Sequence, residues 1–456
     1  VIILKAYLAA QPVGTTTLTF KFSGGADQTL VIAITDSTPS APPGGGGGTG
    51  TTDTQTTITT TGGTTIVTTT VASTTDANGI AAATVTQNQV SEAVNRLLNE
   101  PGTGNTDSEI EINISGTSGT TGISVTIPQS SMALLTDSAI DTLTIKSAAV
   151  TVSFDDTALA AIGGAGSGDV TITAMTVNAD NLTDEYRQLV GSRPVYDLSV
   201  SAGNTAVSNF GGGTATVSIP YAPGPNEDIN KIVVFYVADS GELIMVPNCV
   251  FDPVTGTVTF TTTHFSMYAV GYKDICFSDV AGWYKDDVYY LLARDIMKGP
   301  GEGLFAPAGT ITRAELAQVL YNLSGAPAAA SQISPFSDVR TTDWFYEAVQ
   351  WAYDSGIITG YDGKFDPNAP VKRQDMAVMI VRYVDKAMKH PLPVGGQTVS
   401  FTDSEDISDY AQNAVLAMQS AGIVSGSSDG SFKPQAYTTR AEAAKIIAGL
   451  LKTIIN

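Results

Sequence analysis

Between about Asp76 and Tyr272 apolar and polar residues alternate with a period of two. The segments "EIEINIS", "ISVTIP", "TLTIKS", "VTVSF" and "DVTITAMTV" come first; "YDLSVSA", "TATVSIPY", "KIVVFYVAD", "GTVTFTTT" and "MYAVGY" follow from Pro194. Gly, Asn and Asp turns separate β-branched runs of this kind, which predicts strands packed in antiparallel sheets. One stretch breaks the pattern: "QVSEAVNRLL" places Val90, Val94, Leu97 and Leu98 at helical spacing, so one helix is expected. This region reads as two domains, a β-rich one with a helix over 76–192 and a sandwich-like one over 193–272. Upstream, "TTTLTFKF" and "QTLVIAIT" alternate around "SGGAD" as a pair of short strands in a module covering 1–36. The Pro-, Gly- and Thr-rich stretch 37–75 reads as a linker. Within it "TTITTTGGTTIVTTTV" forms either a hairpin about its GG turn or an extended stalk, with the hairpin preferred.

From Phe277 the period changes to that of helices, and an internal repeat begins. "FSDVAGWYKDDVYYLLARDIMKG" aligns with "FSDVRTTDWFYEAVQWAYDSGIITG" and "FTDSEDISDYAQNAVLAMQSAGIVSG". Val288, Val349 and Val415 each precede Gly299, Gly360 and Gly426 by 11 residues. Phe305, Phe365 and Phe432 stand two residues before Pro307, Pro367 and Pro434, and six further on come Arg313, Arg373 and Arg440. Each unit predicts a helix, a Gly turn, a short "F-x-P" piece and a second helix with a single apolar stripe. One stripe cannot be buried within a unit of this size, so the three are expected to pack together. The units are bounded at 273–327, 328–392 and 393–456.

These three "F-[ST]-D … G-x-F-x-P … [TK]-R-x-[ED]" units resemble S-layer homology domains in triplicate. Repeat two departs from that pattern with Lys372-Arg373-Gln374-Asp375 in place of Thr-Arg-Ala-Glu, and repeat three has Tyr410 where the others have Trp283 and Trp344. The resemblance implies an all-α pseudo-trimer that binds secondary cell-wall polysaccharide, often through a pyruvylated sugar. Residues 1–35, with "TTTLTFKF" and "QTLVIAIT", resemble the last strands of X2-type immunoglobulin-like modules.

The arginines are the candidate chemistry. Thr312 with Glu315, and Thr439 with Glu442, read as capping boxes. A cation at the first helical position opposes the helix dipole by about 0.3–1 kcal/mol. Repeat two loses the capping Thr yet keeps its arginine, so the residues point to a use beyond capping. A guanidinium at a helix N-terminus suits a carboxylate, such as a pyruvate ketal; the competing role is an inter-repeat salt bridge. Trp283 and Trp344 are candidates for stacking on a sugar or for anchoring the core. Asp279, Asp338 and Asp403 are candidates for bonding sugar hydroxyls or for capping the first helices. Of the three grooves, those built on Arg313 and Arg440 are ranked above that of Arg373.

Composition narrows the alternatives. The net charge is −21 and no basic stripe occurs, which argues against a nucleic-acid partner. Residues 1–270 hold 7 Lys and Arg against 23 Asp and Glu, so the acidity is concentrated upstream of the repeats. Two cysteines, Cys249 and Cys276, exclude a disulfide scaffold and a multi-cysteine metal cage, while leaving one pairing open. No apolar run is long enough for a membrane span. "VIILKAYLAA" reads as the inside of a strand with no leader, so a processed or truncated chain is expected. No cofactor is implied, and structural Ca²⁺ lacks a motif. His390 sits in an inter-repeat loop and is assigned no role. "His264-Phe265-Ser266" resembles the cleavage site of autoproteolytic surface modules, with Ser266 attacking the Phe265 carbonyl and His264 as base; an ordinary last strand is the simpler reading.

The expected protein is therefore a non-enzymatic, extracellular, bacterial cell-surface protein. β-rich, immunoglobulin-like or sandwich regions stand outward from a triplet anchored on cell-wall polysaccharide, with self-association into an array or filament. The rival is the anchored part of an extracellular enzyme whose catalytic domain lies upstream.

Overall fold

Alternation of β-branched residues with small polar ones builds two large sheets. The computed structural model describes residues 14–20, 28–34, 56–61, 63–100, 107–138, 140–178, 182, 184–301, 303–329, 333–388, 392–393 and 398–455. His390 and most of the expected linker lie outside them. The chain divides into two units, Val1–Asp53 and Thr54–Asn456. In the first, Gly14–Phe20 pairs antiparallel with Gln28–Ile34, in the positions that the alternation predicts.

In the second unit, an eight-stranded sheet runs from Cys249–Asp252 through Thr257–Thr262, Ala215–Pro220, Thr151–Asp155, Thr142–Lys146, Asp107–Ser115 and Thr64–Ala72 to Thr56–Thr61. A nine-stranded sheet runs from Leu243–Val246 through Ile232–Val237, Met267–Tyr272, Val195–Ala202, Val170–Val177, Gly122–Ile127 and Ile80–Thr84 to Thr74–Thr75, with Thr205–Ala206 attached. Strands from 76–192 and from 193–272 thus share both sheets, and their buried faces share one core that includes Ile112, Ile145, Val217, Val125 and Tyr268. The expected division at 192 falls inside this body. The Thr-rich stretch counted with the linker supplies a hairpin, Thr56–Thr61 with Thr64–Ala72, at the end of the eight-stranded sheet.

The pairing also departs from a purely antiparallel pattern. Thr64–Ala72 runs parallel to Asp107–Ser115, which runs parallel to Thr142–Lys146; Ile80–Thr84 runs parallel to Gly122–Ile127. Parallel neighbours need a crossover, commonly a helix. The expected helix Gln87–Asn99 is present, closed by a Thr86/Gln89 capping box. Gln129–Asp137, Asp156–Gly164 and Asp184–Val190 are helical as well.

The repeats are helical as expected. First helices are Lys285–Ala293, Tyr346–Asp354 and Asp409–Ser420; second helices are Arg313–Leu323, Arg373–Tyr383 and Arg440–Ile455. Their apolar stripes meet in one core. At its centre the backbone forms a closed ring. Ile311 N–H donates to Thr438 O (3.0 Å), Thr438 N–H to Val371 O (2.9 Å), and Val371 N–H to Ile311 O (3.0 Å). Just beyond it, the amides of Arg313, Arg373 and Arg440 donate to Ala369, Ala436 and Gly309. The N–H groups that open a helix lack partners within it; here the next repeat supplies some of them, and the third closes on the first.

Repeat one is also fastened to the β-rich body. Arg294 is 1% exposed and donates to the carbonyls of Cys249, Asn230, Ile232 and Tyr290, with its guanidinium 3.7 Å from the Tyr290 ring centroid. Val250, on an edge strand of the eight-stranded sheet, is part of the repeat core.

Candidate functional site

Each arginine at the head of a second helix reaches across to the neighbouring repeat. The Nε–H of Arg313 donates to Phe365 O (2.7 Å), that of Arg373 to Phe432 O (2.7 Å), and that of Arg440 to Phe305 O (2.9 Å). Each guanidinium also lies over the ring of the same phenylalanine, at 4.8, 5.2 and 4.9 Å. The spacing from "F-x-P" to arginine thus serves contact around the ring, between repeats.

The terminal nitrogens separate the three. Arg440 Nη1 pairs with Glu315 Oε1 (2.7 Å) and its Nη2 donates to Lys298 O; Arg373 Nη1 pairs with Glu442 Oε1 (2.9 Å). The other oxygen of each glutamate closes the capping box, Glu315 with Thr312 and Glu442 with Thr439. One carboxylate therefore both caps its helix and receives the neighbouring arginine, so the expected free fork is committed at these two. Arg313 differs. Its matching residue is Asp375, one methylene shorter, which accepts instead from Tyr410 Oη–H (2.6 Å). Among the described residues Arg313 has no carboxylate within ion-pair distance. Burial pushes the guanidinia of Arg313 and Arg440 down from the usual value, against nearby carboxylates that raise it.

The three aspartates hold the "F-x-P" turns and cap no first helix. Asp279 accepts the amides of Phe305 and Ala306, Asp338 those of Phe365 and Asp366, and Asp403 those of Phe432 and Lys433. Ala306, Asp366 and Lys433 have φ of 57°, 53° and 59°, a left-handed conformation that L-residues resist. Each carboxylate bonds the amide of that strained residue and so fixes the carbonyl that receives the arginine. The Phe305 amide holds the pKa of Asp279 below the usual carboxylate range; for Asp338 burial works the other way, but the Phe365 and Asp366 amides prevail and its pKa too lies below that range.

Trp283 and Trp344 are not core anchors: they are 61% and 64% exposed, and Tyr410 in the matching place is 61% exposed. Each lines a groove beside an arginine from another repeat. Trp344 faces Arg440, Glu315 and Gln318 across about 500 Å³; Trp283 lies with Arg373, Glu442 and Lys445 about 210 Å³; Tyr410 lies with Arg313, Asp375 and Arg382 about 660 Å³. Aromatic face, arginine and acidic N3 residue thus come together three times, each set drawn from all three repeats. Tyr361 and Tyr437, 85% and 53% exposed, border the Arg313 groove and were not singled out from the sequence.

Elsewhere, His264 packs edge-on against Tyr236 (4.9 Å), and burial lowers its basicity. Its carbonyl accepts from Thr262 and Tyr268, and Phe265 packs on Phe154 and Phe210. No hydrogen bond joins the imidazole to Ser266 among the described residues, so the base–nucleophile contact required for cleavage is not formed. Cys249 is buried, Cys276 is exposed, and the two do not pair.

The S-layer homology domain model matches residues 277–317, 335–377 and 400–444, and the carbohydrate binding domain X2 model matches residues 1–32. The chain is 32% identical over 274 residues to an amylopullulanase of Thermoanaerobacterium thermosulfurigenes, covering 60% of this chain and 14% of that protein. It is 30% identical to a cellulosome-anchoring protein of Acetivibrio thermocellus over 33% of this chain and 34% of that one. With the S-layer protein sap of Bacillus anthracis it shares 28% identity over 43% of this chain and 24% of the other. The C-terminal region is a triplet of S-layer homology repeats, which places the protein at the cell surface. Repeats that recur in enzymes and in S-layer proteins alike carry no catalysis of their own. No helix among the described residues is long and apolar enough to cross a membrane.

Proposed function

We propose that the repeat triplet, as a three-pronged pseudo-trimer, anchors the chain non-covalently by holding pyruvylated secondary cell-wall polysaccharide in its inter-repeat grooves. The β-rich region is carried outward as part of an S-layer or filament subunit. The observation that carries this reading is the threefold return of a largely exposed aromatic face beside an arginine that is buried at Arg440 and half-buried at Arg313 and Arg373. Exposed indoles cost solvation unless something stacks on them, and a sugar ring is a matching surface. A charge-assisted contact contributes about 1.5–3 kcal/mol, so several grooves on one polymer reach useful avidity through effective concentration. Arg313, Trp283, Trp344 and Tyr410 are the residues assigned to the ligand. Arg373 and Arg440 close the ring as well as line the grooves, and the three aspartates position the turns.

The alternative, the anchored part of a longer extracellular enzyme, is favoured by the small share of the amylopullulanase that the chain spans, 14%. Both readings require the same anchor. The test is retention of the full chain on purified cell-wall sacculi before and after chemical removal of the attached polymer. Retention that disappears with the polymer supports the anchor; retention that ignores the polymer contradicts it.

A further inference from the structure

The three grooves share an arginine and an aromatic face but not their walls. Five and nine residues after the arginine of each second helix come positions that line a groove, Gly449 excepted. Beside Arg440 these are Gln318 and Asn322, two neutral amides bonded to each other at 2.8 Å, with Asn322 tied to Ile296 O at 3.1 Å. Beside Arg373 they are Lys445, 5.4 Å over the Trp283 ring, and Gly449, around which the space is open. Beside Arg313 they are Val378 and Arg382.

Arg382 is half-buried and has neither an ion pair nor a hydrogen bond among the described residues. It occupies the same groove as Arg313, whose terminal nitrogens lack a carboxylate, and as Lys364. Arg313 stands beside the start of the helix Arg373–Tyr383, because its amide donates to Ala369 and its Nε–H to Phe365. Arg382 is nine residues along that helix, so its Cα lies about 13 Å along the axis from the helix start, at 1.5 Å per residue. That offset between the points of attachment is longer than one sugar ring. Two arginines without an ion pair in one groove, which Asp366 and Asp375 also line, are an arrangement that the other two grooves lack.

We infer that the Arg313 groove takes an acidic oligosaccharide bearing anionic groups on separate sugars, a carboxylate at Arg313 and a second anion toward Arg382. Arg382 is its specificity-determining residue, and the other two grooves take singly charged or neutral sugar units. This rests on the polysaccharide reading above, and deepens it by naming the charge pattern that the polymer carries.

The test is calorimetric titration of the full chain with two synthetic probes. One is a methyl glycoside with a single pyruvate ketal; the other is a trisaccharide with the same ketal and a phosphate monoester at its far end. The wild type is expected to bind the second about tenfold tighter, the increment of one charge-assisted contact. Arg382→Gln should erase that preference and leave affinity for the ketal probe within about twofold, with an unchanged melting temperature. Arg313→Ala should weaken both. A preference that survives Arg382→Gln, or no preference in the wild type, overturns the inference and leaves the anchor standing. If neither probe binds the wild type, both fall.

Discussion

The grooves of Arg440 and Arg313 occupy equivalent places in the ring and behave as opposites. Around Arg440 every arm has a partner: Phe305 O, Lys298 O and the Glu315 carboxylate, and its side chain is 7% exposed. Around Arg313 the contact with Phe365 O is kept and the carboxylate is lost. Two departures in the sequence, Glu to Asp375 and Trp to Tyr410, turn out to be one change. The shorter carboxylate no longer meets the arginine, and the tyrosine hydroxyl that replaces an indole takes it up at 2.6 Å. Gln374 in turn donates to Tyr410 Oη at 2.7 Å. A motif that reads as degraded in repeat two is a rewired hydrogen-bond set that leaves a cation open.

That contrast can be broken most severely at Arg440. Arg440→Ala strands Glu315 and two buried carbonyls, so the repeat unit should lose about 3–5 kcal/mol, whereas Arg313→Ala should lose about 1 kcal/mol; urea unfolding of both variants compares them, and equal losses would contradict the distinction. Next come the turn staples. Asp279→Ala removes charge-assisted bonds to the Phe305 and Ala306 amides and should cost about 1.5–3 kcal/mol. Because Asp279 and Asp338 titrate below the ordinary carboxylate range in the folded chain, their contribution is complete above about pH 4, near the unfolded value. It is lost as pH falls through the lower folded value. Melting profiles should therefore drop on the acid side, and less steeply for Asp279→Asn.

A gentler substitution sharpens the contrast instead. Asp375→Glu combined with Tyr410→Trp should close the missing ion pair, adding about 1 kcal/mol while weakening polysaccharide retention severalfold. Unaltered retention would mean that Arg313 need not be free. The smallest expected effect lies on the ring axis. Thr438 is 0% exposed, matches Ile311 and Val371, and its hydroxyl has no partner among the described residues. Thr438→Val should stabilise the unit by about 1 kcal/mol, seen as a higher melting temperature with unchanged binding.

Much of this was legible in the sequence where triplication supplied an internal control. The Gly, "F-x-P" and arginine positions could be aligned, and the repeats found, because the same local geometry is written three times. Which partner each residue meets was not legible, since Arg440 and Phe305 are 135 positions apart and the contact exists only once the ring closes. The sequence leaves the aspartates as caps or ligands for the same reason: their partners lie 26 to 30 residues downstream. In the β-rich region the period-two pattern located strands well. It could not order them, and the short helices "QSSMALLTD" and "DTALAAIGG" carry too little amphipathic contrast to stand out. For Arg294, at the end of "YYLLAR", the available signal is a lone cation closing an apolar run, which must meet something polar there.

The central claim is that Arg313 is kept open for the wall polymer while Arg440 is spent on the ring. The most direct measurement is retention of the full chain and its folded Arg313→Lys and Asp375→Glu/Tyr410→Trp variants on polymer-bearing sacculi, each against polymer-stripped controls. Strong, polymer-dependent retention is expected for the wild type, reduced at least about fivefold in both variants, since neither leaves a free planar guanidinium fork. Retention of both variants at the wild-type level would contradict it and return Arg313 to a purely structural role.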